Sequence, residues 1–267
     1  MDIALHDALA RSVGLPLHQL LGGWTDRIQL TWIIGMDPIE EMLDEALAAA
    51  AKGFKSFKIK IGVDTEKDVE AIRRIRESLG KDVLLYVDAN QAYSPTQAMR
   101  ALPRMIEYGI EIIEDPIAHW NSEGRLKLAR MLPVPLLGDE SVVSPVDIKR
   151  EIDLGALGMI NIKTARSGFY QSRKIIHLAE QAGYQCLIGT LLETDIGALA
   201  SAHFGAGFRI FTRPAELTYH MKMHDHLLES PLDIQDGWLI LPTGPGLGIA
   251  LDEDKLERYR VKKLGTD

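Results

Sequence analysis

The chain has 267 residues, with 38 acidic against 30 basic side chains and a formal charge of -8. Nothing in it forms a basic stripe with interleaved aromatics, which excludes nucleic-acid binding, and no run reaches the length of a membrane span. The single cysteine, Cys186, has no internal partner, and the opening MDIALHDALA lacks a signal-peptide pattern, so a cytoplasmic protein is expected. Residues 1–23 read as one helix and a loop ending in Gly22-Gly23. From there short β-branched runs alternate with amphipathic stretches. The strand candidates are IQLTWIIG, FKSFKIKIG, DVLLYVDAN, GIEIIEDP, VPLLGDES, GMINIKT, YQCLIGT and FRIFTRP. Helix punctuation separates them: Asp37, Pro38 and Gly53 around the first helix, Asp64 and Gly80 around the next, then two Ser-Pro openings closed by Gly109 and Gly155. Pro103 predicts a kink or a late helix start. After Tyr219 come a strand-like GWLILP and the turn-rich TGPGLG.

Alternating β and α implies a parallel sheet with right-handed crossovers, and eight units in this length favour an α/β fold of the TIM-like (β/α)7β barrel type. An open doubly wound sheet lacks support, because no glycine-rich phosphate loop follows the first strand. The expected division is 1–23 as a segment packed on the barrel, 24–218 as the barrel, and 219–267 as a tail on both.

The chemistry is read from the strand ends. Lys60, Asp88, Glu114, Asp139 and Lys163 follow one another at steps of 24 to 28 residues, one βα unit each. Residues at the same end of successive parallel strands stand around one rim, the C-terminal face where barrel sites are built. A single carboxylate after a strand is commonly a helix cap; five ionisable residues in phase are not explained so. Three carboxylates without histidine or cysteine suit a hard divalent cation such as Mg²⁺, and a lysine flanks them on each side. Side chains alternate along a strand, so Lys58 and Lys60 share the face that meets the barrel mouth. Mutual repulsion and burial are expected to lower their pKa values towards those of bases.

These stretches resemble the enolase superfamily and, within it, the muconate-lactonizing (muconate cycloisomerase) subgroup. The matching motifs are FKIKIG, VDANQAY, IEDP, GDES, INIKTARSG, GTLLETDIGALASAHF and GPGLGIALDEDKLERY, with the opening MDIALHDALARSVGLPLHQLLGG. The resemblance implies Mg²⁺, with Mn²⁺ as a substitute, on Asp88, Glu114 and Asp139, and Lys60 and Lys163 as the catalytic acid/base pair. It implies Lys58 and Glu193 in substrate binding and Asn90 as a supporting residue beside the metal ligands. The implied step is proton removal α to a carboxylate, giving a metal-stabilised enediolate. The first expectation is cycloisomerisation of a muconate-like diacid. Racemisation or epimerisation of an amino-acid derivative, or dehydration, are alternatives, as is a truncated barrel without catalysis. Members usually carry an N-terminal capping domain, of which residues 1–23 resemble the final part, so a remnant of that domain is expected. A small carboxylate substrate and a homo-oligomer follow. Gly168-Phe169 stands where many relatives have Gly-Gly. The strand-seven histidine of mandelate-racemase-like members and the Asp-x-Asp of dipeptide epimerases are absent from LIGT and TRPAELTYHMKMHDH. His220, His224 and His226 read as solvated loop residues, and His6 and His18 as surface or capping-region residues.

Overall fold

The structure, a computed structural model, describes residues 1–261. Two helices, α1 (Asp2–Ser12) and α2 (Leu17–Leu21), precede the segment expected as the first strand. That segment divides into β1 (Arg27–Gln29) and β2 (Trp32–Ile34). Strand and helix then alternate: α3 (Ile39–Ala51), β3 (Ser56–Lys60), α4 (Thr65–Leu79), β4 (Leu84–Asp88), α5 (Pro95–Glu107), β5 (Ile110–Glu114) and α6 (Ser122–Met131). The series continues through β6 (Leu136–Gly138), α7 (Pro145–Leu154), β7 (Met159–Ile162), α8 (Thr164–Gln181), β8 (Gln185–Ile188) and α9 (Asp195–Gly207).

The strands β2 to β8 form one parallel sheet in chain order. The eighth candidate, FRIFTRP, is not a regular strand. It closes the barrel as an extended segment, through bridges Cys186↔Phe211 and Leu30↔Ala215. Thr31 N–H donates to Ala215 O at 2.8 Å, and Glu216 N–H to Ile188 O at 2.8 Å. The closing residues therefore extend past the predicted strand to Glu216.

Two apolar layers result. The larger lies between the sheet and the helices; a separate cluster of Tyr86, Ile112, Leu137, Met159 and Leu187 fills the barrel. Period-2 alternation makes the inner residue of each strand predict the next: two positions beyond Tyr86, Ile112, Leu137 and Met159 come Asp88, Glu114, Asp139 and Asn161. An apolar floor thus carries a polar layer at the C-terminal end.

Helix ends follow the sequence with exceptions. Asp64 caps α4 by accepting from the N–H groups of Glu66 and Lys67, Ser94 forms a capping box with Gln97, and Gly155 ends α7 in the left-handed region. Asp37 does not cap α3; Pro38 occupies the N-cap position without a side-chain bond. α5 runs through Pro103 to Glu107. Within α8 the backbone breaks at Gly168, with φ 65° and ψ 177°, and the Asp2 carboxylate accepts from Phe169 N–H at 2.5 Å. A Cβ at Gly168 would lie 2.9 Å from Asp2 Oδ2, so glycine is required there on both counts. Phe169 fits: it is buried between the rings of His6 and Phe204.

α1 packs on α8 and α2 on α9. The tail contributes β9 (Ile234–Gln235) and β10 (Trp238–Ile240), which form a three-stranded antiparallel sheet with β1, and then α10 (Glu253–Tyr259). Gly246 in the tail bonds Leu15 and Leu17. On α1 and its C-cap, Leu5, Leu9 and Val13 form an exposed apolar stripe. Among the described residues no helix is long and apolar enough to cross a membrane.

Candidate active site at the barrel mouth

Backbone register brings the predicted residues to one rim. Lys60 is the Cα partner of Asp88, and Asp88 of Glu114; Asp139 and Lys163 directly follow β6 and β7. Asp88, Glu114, Asp139, Lys58 and Lys163 are all buried. Lys60 and Lys163 stand on β3 and β7, with β4 to β6 and their three carboxylates between.

The Lys58 ammonium lies 2.8 Å from Asp88, 2.6 Å from Glu114 and 3.0 Å from Glu216. Lys60 bonds Asp88 at 2.7 Å and Asn90 Oδ1 at 2.5 Å, while Lys163 pairs with Asp139. At Lys58 the expected lowering is not what the structure shows. Burial opposes the charge on Lys58, but Asp88, Glu114 and Glu216 outweigh it and hold its pKa well above the ordinary lysine value. Lys163 shows the same balance, with burial opposed by Asp139, Glu114 and Glu216, and its pKa is raised. Burial also resists ionisation of Asp88, yet Lys58 and Lys60 hold it at about 2. The excess negative charge is felt at Glu114, which burial, Asp88 and Glu216 push well up.

Two members of this cluster escaped sequence reasoning. Glu216, on the closing segment, accepts from Lys58, from Tyr86 Oη at 2.8 Å and from Asn161 Nδ2 at 3.1 Å. It lies 53 residues past Lys163, two βα units, so the spacing itself could have found it. Asn161 also donates to Glu114 Oε1 at 2.9 Å. It precedes Lys163 by two positions, as Lys58 precedes Lys60. Asp115 is a third omission. Its Oδ2 accepts from the N–H groups of Asp139 and Glu140 at 2.9 and 2.8 Å, and so fixes the loop that carries Asp139.

The resemblance-based residues divide. Asn90 stands at the cluster, bonded to Lys60 and, through Nδ2, to Glu140 at 3.1 Å. Glu193 does not reach the lysines. It folds onto its own loop, accepting from Thr190 Oγ1 and from Leu191 N–H, with Oε1 buried and unpartnered. Two histidine expectations are corrected, at His220 and His226. His18 is buried against His203. His220 and His226 are partly buried, in a cleft with Asp195 and Met221 that is separate from the lysine cluster.

The donor set fits a hard divalent cation. It is all oxygen, set on adjacent strands, and Asp139 Oδ1 is buried without a hydrogen-bond partner although Arg166 Nη2 lies 3.0 Å away. As arranged, among the described residues no three histidine, cysteine, aspartate or glutamate side chains converge to enclose an ion. The lysine ammonium groups sit against the carboxylates instead.

The family described as Enolase C-terminal domain-like matches residues 41–255, most of the chain. The chain belongs to the enolase superfamily. It is 36% identical over 263 residues to muconate cycloisomerase 1 of Rhodococcus opacus, covering 97% of this chain and 70% of that protein. It is 34% identical over 258 residues to the L-Ala-D/L-Glu epimerase of Clostridium acetobutylicum, covering 93% and 70%. The muconate lactonizing enzyme from Pseudomonas fluorescens complexed with muconolactone superposes with a TM-score of 0.93, at 31% identity over 97% of this chain and 71% of that one. These superfamily relatives are enzymes, and their barrel is the one described above.

Proposed function

We propose that this protein is a Mg²⁺-dependent isomerase that moves the proton on the carbon α to a substrate carboxylate, with Lys60 and Lys163 as the two acid/base groups. One observation carries the reading: lysines on β3 and β7 flank a rim of buried carboxylates, so a substrate held between them has a base on each face. A divalent cation held by Asp88, Glu114 and Asp139 would offset the charge that builds on the substrate carboxylate as the proton leaves.

The remaining work falls to the chain. One lysine takes the α-proton at Nζ, the other delivers a proton to the opposite face, and the carbon inverts. The roles exchange in the reverse direction. In the ion-paired arrangement Lys163 holds its proton, so as acceptor it must first be released from Asp139. Lys58, fixed by three carboxylates, offers positive charge to an incoming carboxylate and does not transfer protons. This geometry supports racemisation or epimerisation best. Cycloisomerisation of a muconate-like diacid is the second reading, favoured by the likeness to muconate cycloisomerase.

The test is α-proton exchange in deuterated water with Mg²⁺ present, using amino-acid derivatives and cis,cis-muconate. Lys60→Ala and Lys163→Ala should each abolish exchange from one face and spare the other. Exchange retained on both faces in the double variant would remove the lysines from the mechanism.

A further inference from the structure

The turn after β5 is shaped by the last two residues of IEDP. Proline disfavours the helical region for the residue before it, and Asp115, ahead of Pro116, takes a left-handed backbone with φ 32°. Few side chains adopt that conformation; aspartate and asparagine are among those that do. Asn90 and Gln91, just past β4, are left-handed as well, at φ 41° and 67°. Such residues persist only where surrounding bonds hold them, and they cluster at functional sites.

Here the bonds centre on Asp115, which is 2% exposed. Its N–H donates to Leu137 O at 3.1 Å, and its carbonyl accepts from Gln91 N–H at 2.8 Å. Its Oδ2 accepts from the N–H groups of both Asp139 and Glu140, and the Glu140 carboxyl stands beside it. Asn90 Nδ2 closes the circuit by donating to Glu140 Oε1. One buried residue therefore ties together the loops that carry Asp88, Glu114 and Asp139. The lysines hold these three by their carboxylates and must give way when a cation takes the same oxygens. Asp115 holds main-chain groups, so its contacts remain.

We propose that Asp115 is a positioning residue for the cation site: it clamps the Asp139 loop onto the turn after Glu114 and so keeps the three carboxylates in place for a divalent ion. The inference rests on the metal-dependent reading, and main-chain exchange measured without metal separates the two. The full chain is compared with Asp115→Ala and Asp115→Asn. Amide hydrogen exchange is followed by NMR without Mg²⁺, and the Mg²⁺ dissociation constant by calorimetric titration. In the wild type the Asp139 and Glu140 amides should exchange slowly. Asp115→Ala removes their acceptor and should speed both by at least ~10-fold, while Ile160 and Leu187 on β7 and β8 exchange as before. It should weaken Mg²⁺ binding ~10–100-fold. Asp115→Asn keeps an acceptor oxygen for both groups and offers Glu140 a donor, so it should retain the slow exchange and most of the affinity.

Fast exchange of the Asp139 and Glu140 amides in the wild type overturns the clamp, whether or not either variant folds. If Asp115→Ala frees these amides but the wild type binds no Mg²⁺, the metal reading falls and the clamp on the loop stands. If the wild type binds Mg²⁺ and Asp115→Ala binds it equally well, the assignment of Asp115 falls and the metal reading stands. Faster exchange throughout the sheet in Asp115→Ala, or a loss in Asp115→Asn as large as in Asp115→Ala, also overturns the assignment.

Discussion

Lys58 shows how one side chain can be decided by partners far away in sequence. It is 2% exposed and touches carboxylates that lie 30, 56 and 158 residues later in the chain. Removing one member of a buried ion cluster leaves uncompensated charge and typically costs about 3–5 kcal/mol. Lys58→Met should therefore destabilise the protein by roughly that amount in urea unfolding without added metal, more than Lys60→Met at a site 27% exposed. Equal losses for the two would contradict the three-carboxylate account. The same residue marks what was legible in the sequence. Period 2 and the βα spacing placed Lys58, Lys60, Asp88, Glu114, Asp139 and Lys163 on one rim, because both rules depend on local geometry. They did not say whether Lys58 would meet another lysine or a ring of acids, which depends on how strands close in space. Asn161 was passed over for want of charge, and Glu216 because the closing segment lacks a strand pattern at its end.

Among the elements, α2, α9 and the tail meet at a buried histidine pair. His203 on α9 accepts from His18 N–H at 3.1 Å, and its Nε2 faces Leu247 O at 3.3 Å. Burial, with His18 beside it, lowers the His203 pKa from 6.5 to about 4 against the pull of Asp7. The unfolded chain thus binds the proton that the folded chain refuses. Stability from this residue is complete above pH 6.5 and is lost as pH falls towards 4, about 3 kcal/mol at most. His203→Gln should flatten the stability profile between pH 6.5 and 4.5 in urea titrations; an unchanged slope would show that His203 is not the group responsible. Neither histidine was legible as buried. α2 is too short to show a helical period, and α9, buried along most of its length, has no polar face to orient it.

For the whole molecule, the balance of charge at the mouth governs stability. Four buried carboxylates share the barrel interior with Lys58 and Lys163, and burial raises the cost of any that are unpaired. We predict that Mg²⁺ at about 100 times its dissociation constant raises the unfolding free energy by ~2.7 kcal/mol, several degrees in melting temperature. Asp139→Asn should remove most of that gain while retaining the fold. A melting curve indifferent to Mg²⁺ would set aside the metal assignment.

The pairing of β1 with β10 has a consequence for how the protein is made. Arg27 and Ile240 are neighbours in space, yet more than two hundred residues are synthesised between them. The edge left by β1 must wait for more than two hundred further residues to be made before its partner arrives, and the extended segment ending at Glu216 comes scarcely earlier. Contacts of such long sequence separation form slowly, because the loop must close before they contribute. A ribosome-tethered chain stopped at residue 210 should therefore be cut readily by protease within residues 24–34, and one released at full length should resist. Equal protection of the two would mean that the first strands are secured without the end of the chain.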